Sequence, residues 1–63
     1  MMYEKGDSVI VRLPGGEYEG VVTEVLPNYG FREARETKYQ VSGKQFVTIT
    51  SARRMRPGKT WRA

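Results

Sequence analysis

Apolar and polar residues alternate with a period of two in four stretches of this chain. Asp7 to Leu13 is the first: Val9, Val11 and Leu13 share one face, and Ser8, Ile10 and Arg12 the other. Period two with β-branched residues predicts a strand. Gly6-Asp7 before it and Pro14-Gly15-Gly16 after it read as turns, because Pro fixes φ and Gly supplies positive φ. Glu17 to Leu26 is a second strand whose alternation slips at Val21-Val22, just after Gly20. A glycine inside a strand marks a bulge or a sharp bend. Such a bend lets one strand serve two sheets.

Pro27-Asn28-Tyr29-Gly30 reads as a loop, and residues 31–37 as a mobile loop or a charged strand extension. Thr37 to Ser42 alternates again, with Thr37, Tyr39 and Val41 on one face. The tight turn Ser42-Gly43-Lys44 leads to a fourth strand, Gln45 to Thr50. There Val47 and Ile49 are assigned to the core, with Phe46, Thr48 and Thr50 opposite. Ile49, Ala52 and Met55 then recur at intervals of three, the period of a 3-10 turn. That turn is expected to drop Ala52 and Met55 onto the core. Four to five short strands, with almost no room for a helix, predict an all-β barrel.

Sixty-three residues make one small domain, placed at residues 1–57, with a flexible basic tail at 58–63. There is no cysteine, hence no disulfide, and no histidine, the commonest general base. Asp7 and the scattered glutamates lack metal-ligand spacing. No cofactor, no metal and no catalytic residue is therefore expected. No apolar run is long enough to span a membrane, and the polar start lacks an apolar signal core, so a soluble cytoplasmic protein is expected.

Charge is divided unevenly. Up to Phe31, Lys5 and Arg12 stand against five acidic residues, a net of −3; beyond it nine basic residues stand against Glu33 and Glu36, a net of +7. This asymmetry points to an anionic partner. Arg53, Arg54 and Arg56 cluster at the closing strand, Arg32, Arg35 and Lys38 approach the third strand, and Lys44 sits at its turn. Cations there would neutralise phosphates, and Tyr18, Tyr29, Phe31, Phe46 and Trp61 offer flat faces for bases. The expected nucleic-acid site comprises Arg32, Arg35, Lys38, Lys44, Arg53, Arg54, Arg56, Phe46 and Tyr29. DNA and RNA stay open. Trp61 is either a latch on the barrel or a partner contact.

Lys5-Gly6-Asp7-Ser8-Val9-Ile10-Val11, Tyr18 to Val25, Lys38-Tyr39-Gln40-Val41 and Val47 to Pro57 follow one another in an order that resembles SH3-like barrels of the Tudor/KOW kind. The resemblance implies antiparallel strands and a 3-10 turn before the last one. It also implies a binding module rather than an enzyme. Tudor-like domains hold methylated Lys or Arg in aromatic cages, for which Tyr18, Tyr29, Phe31 and Phe46 are candidate walls, although a net charge of +4 opposes a cationic ligand. The small plasmid-type dihydrofolate reductases share the fold and carry Gln and Tyr on the pore strand; Thr48 and Thr50 stand there instead. The alternative to nucleic-acid binding is a protein-interaction or self-assembling accessory module, such as phages and plasmids encode.

Overall fold

In the computed structural model, residues 2–30 and 35–61 are described. They form β1 (Ser8–Leu13), β2 (Gly16–Tyr29), β3 (Glu36–Ser42), β4 (Val47–Ser51), a 3-10 turn (Ala52–Arg54) and β5 (Met55–Pro57). All pairings are antiparallel, in the order β4-β3-β2-β1-β5. The fold is all-β, as the alternation predicts. The sheet does not close: β4 and β5 remain its edges.

β2 is the hinge of the sheet. Its first part, Gly16 to Val21, pairs with β1, and its second part, Val21 to Tyr29, pairs with β3. The changeover falls beside Gly20. A Cβ there would lie 2.6 Å from Val41 Cγ1 and 2.9 Å from the Ser42 carbonyl oxygen. Only glycine lets β3 approach this closely. The register then shifts between Val22 and Glu24, which absorbs the slip in the hydrophobic pattern. β2 also runs on through Pro27, Asn28 and Tyr29, where a loop is expected from sequence. A second register shift and a left-handed Asn28 (φ 53°) accommodate that extension.

The core comprises Tyr3, Val9, Val11, Val22, Tyr39, Val41 and Met55, with Leu13, Val25, Phe46, Ala52 and Trp61 packed against it. Burying these side chains supplies the main drive for folding. Tyr3 is edge-on to Tyr39 at 5.6 Å and to Trp61 at 6.4 Å. Burial, then Tyr39 and Asp7, push the Tyr3 hydroxyl above its usual pKa. Trp61 Nε1 donates to Asp7 Oδ2 at 3.2 Å, and Gly58 N donates to the Ser8 carbonyl at 2.9 Å. Through residue 61, the segment expected to be a loose tail is thus a turn docked on the N-terminal segment, with Trp61 as the latch. Arg62 and Ala63 lie outside the described residues.

β4 faces the opposite way from the sequence expectation. Val47 and Ile49 are 63% and 44% exposed, whereas Thr50 is only 6% exposed. Phe46, expected opposite the core, packs against it. The cause is the turn. Gly43 N donates to the Phe46 carbonyl at 2.9 Å, so Lys44-Gln45 is a two-residue loop. This register sets Val41 against Thr48 and Tyr39 against Thr50. Residues directly opposite share a face, so inward Tyr39 and Val41 carry Thr50 and Thr48 inward. A turn one residue longer would have paired Val41 with Ile49 and produced the expected arrangement. Phe46 fixes the choice: its ring covers Gly43, where a Cβ would sit 2.1 Å from Cε1.

Candidate nucleic-acid interface

The basic surface is assembled by β5. Pairing of Ile10 with Arg56 sets β5 against β1, and Arg12 follows Ile10 on the same outward face. The 3-10 turn holds Arg53 and Arg54 just before β5, both exposed. One shallow hollow is lined by Ile10, Arg12, Glu17, Arg53, Arg54 and Arg56. Arg12 was missed by sequence reasoning, which read it only as an outward residue of the acidic half. Its alternation with Ile10, combined with a β1–β5 pairing, is the signal that would have found it.

Two carboxylates thread these cations. Arg56 Nη2 donates to Glu17 Oε1 at 2.9 Å. That hydrogen bond, then the arginine's charge, holds the Glu17 carboxyl below its usual range; desolvation opposes them, and Arg12 adds the smallest lowering. The same bond raises Arg56. Glu36 Oε1 lies 3.4 Å from Arg53 Nη2 and 3.3 Å from Lys38 Nζ. Glu36 thereby ties the start of β3 to the 3-10 turn. Arg12, Lys38, Arg53, Arg54 and Arg56 against Glu17 and Glu36 leave a local excess of three positive charges. Arg54 forms no ion pair among the described residues. Exposed pairs such as these contribute little to stability and exchange readily for other anions.

The remaining candidates fall in three places. Tyr29 is exposed and is the backbone partner of Glu36, the carboxylate that Lys38 and Arg53 share. Arg35 is exposed immediately before β3. Lys44 and Phe46 lie away from the arginines, in an open groove of about 690 Å³ between the β1–β2 and β3–β4 turns. Leu13, Pro14, Tyr18, Glu19 and Gln45 complete that groove, and Tyr18 meets Phe46 edge-on at 6.1 Å. Tyr29 is not part of it, so the four-walled cage drawn from sequence is not assembled. Arg32 and Phe31 lie outside the described residues.

Among the described residues, no helix is long and apolar enough to cross a membrane. Comparison with protein-family models, with curated proteins and with solved structures returned no match. The functional reading therefore rests on the residues themselves.

Proposed function

We propose that this chain is a non-enzymatic nucleic-acid-binding module of the cytoplasm, built on an opened SH3-like barrel of the Tudor/KOW kind. The element order, the changeover of β2 from β1 to β3 beside Gly20 and the 3-10 turn before a last strand paired to β1 support that fold assignment. The binding surface is Arg12, Arg53, Arg54 and Arg56, extended by Lys38, Arg35 and Tyr29. One observation carries the reading: β1–β5 pairing gathers arginines distant in sequence around one hollow, whose one acidic lining residue among those described is Glu17. Arginine suits this role because its planar fork matches phosphate oxygens and stacks on bases.

The test is fluorescence anisotropy with duplex and single-stranded oligonucleotides across a salt series. Three arginine–phosphate contacts give a slope of log K against log salt near −3, about −0.9 per contact on a duplex. Changing Arg53, Arg54 and Arg56 together to Ala should weaken binding by on the order of 10²-fold and flatten the slope. No binding tighter than about 0.1 mM at roughly 50 mM salt would falsify the proposal, since even non-specific binders exceed that level.

A second reading, a peptide-binding module, is favoured by the Tyr18–Phe46 groove. Its volume lies within the roughly 300–1,000 Å³ of small-ligand sites. It calls for salt-insensitive binding that is lost on Tyr18→Ala and kept by the triple arginine variant.

A further inference from the structure

The two open edges of the sheet differ in chemistry. β5 is Met55-Arg56-Pro57, short and carrying both a charge and a proline. Those features keep foreign strands from adding to an edge. β4 is Val47-Thr48-Ile49-Thr50-Ser51, with neither. No charged residue occurs anywhere between Lys44 and Arg53.

The unguarded edge is also the apolar one. Val47 and Ile49 are the outward, exposed side chains of β4. Val47 pairs with Ser42, and Ser42 with Val21, itself 44% exposed, so an uncharged row of two exposed valines around a serine crosses the outward face. The main chain points the same way. Because Gly43 N bonds the Phe46 carbonyl, the alternation of an antiparallel ladder turns Phe46, Thr48 and Thr50 toward β3. It turns the N–H and C=O groups of Val47 and Ile49 toward the open edge. Among the described residues, β3 is the only strand that β4 pairs with.

We propose that β4 is a self-association edge, to which a second copy of this chain adds its own β4 antiparallel. A two-fold axis at Thr48 sets Val47 opposite Ile49 of the second copy, and the reverse, so each outward N–H and C=O group of these residues finds its partner. The axis passes between Thr48 and Thr48 of the second copy. The seam is uncharged on both sides. A nucleic acid would find no cation there, and a charged protein surface no counter-charge, whereas a second copy brings a matching β-branched, uncharged strand. The area is small. Stable interfaces bury about 1,200–2,000 Å², more than one short edge supplies, so the dimer forms only at high concentration. Lys44 and Arg53 bracket the seam and repel their counterparts, so added salt strengthens this association. Salt has the opposite effect on phosphate binding.

Sedimentation velocity over a concentration series, at low and high salt, tests the proposal together with amide hydrogen exchange. The dimer fraction should rise with concentration and with salt. Exchange at Val47 and Ile49 should slow severalfold as the dimer forms. Ile49→Lys should weaken dimerisation at least tenfold while leaving the circular dichroism spectrum unchanged. Val47→Lys, at the more exposed position, is the second variant should the first perturb folding. A chain that stays monomeric at every concentration overturns the proposal. So does a dimer indifferent to both lysines, which places the seam elsewhere. Slow exchange at Val47 and Ile49 in the most dilute, monomeric sample also overturns it, because the chain itself then covers the edge.

Discussion

β4 and β5 are both edges of one sheet, yet they are held by different means. β5 is tied down along three residues of β1, by the buried Met55, and by the Gly58 and Trp61 contacts that follow it. Its outward surface is ionic: Arg56 on Glu17, with Arg12 close by. β4 is paired along five residues of β3, and which face it buries is set by one tight turn and by Phe46. Its outward surface is aliphatic. The difference teaches how a small sheet divides its tasks. The charges of β5 also protect the edge that bears them. The edge without them presents strand chemistry to whatever strand arrives.

The largest effect should come from removing what orients β4. Phe46→Ala takes away the ring that covers Gly43 and commits Thr48 and Thr50 to the inside. A partly buried Phe lost this way should cost about 2–4 kcal/mol, read from the denaturant midpoint. Gly43→Ala should cost about 1–3 kcal/mol, because its Cβ must displace the same ring. If each variant lost less than about 0.5 kcal/mol, an ordinary surface effect, Phe46 would not be the anchor.

An intermediate effect is expected from making β5 resemble β4. Arg56→Val with Pro57→Val removes the charge and restores an N–H to the edge. This double variant should self-associate at concentrations where the parent chain does not, as light scattering would show. It should also weaken oligonucleotide binding, because Arg56 is lost. If it remains as soluble and monomeric as the parent, the guard at this edge is not Arg56-Pro57, and the docked 58–61 turn is the next candidate.

How much of this was legible in the sequence depends on what kind of signal each feature leaves. The strands of Val9–Val11 and Tyr39–Val41 were legible because large apolar residues recur on one face and nothing competes with them. The irregularity of β2 just after Gly20 was legible because a glycine coincides with a broken alternation. The facing of β4 was not. Val-Thr-Ile-Thr reads equally well with either set inside, since threonine is β-branched and small enough to bury. A single residue of turn length decides between the two, and that length is set by a main-chain bond from Gly43 to Phe46. The buried Tyr3 was also hidden, because its partners Tyr39 and Trp61 lie far along the chain. Arg53, Arg54 and Arg56 stood out as a run, whereas Arg12 joins them only through strand pairing.

The smallest effect tests the ionic side of the comparison. Glu17 is exposed, and its carboxyl is held below the ordinary glutamate range first by the hydrogen bond from Arg56 and then by that arginine's charge. A carboxylate with a depressed folded-state pKa contributes its full stabilisation above its unfolded pKa, about 4.3 for glutamate, and loses it as pH falls through the folded value. Arg56→Ala should therefore move the Glu17 titration midpoint upward, toward the ordinary value, in an NMR carboxyl titration. Glu17→Gln is the complementary change. It frees Arg56 without removing it, and oligonucleotide affinity should rise about two- to fivefold, the range of an exposed ion pair. The gain should shrink as salt screens the remaining charges. An unchanged affinity would mean that Arg56 already leaves Glu17 at no cost when phosphate arrives. The carboxylate would then serve only to hold the arginine over the β5 edge in the unbound chain, as the guard that β4 lacks.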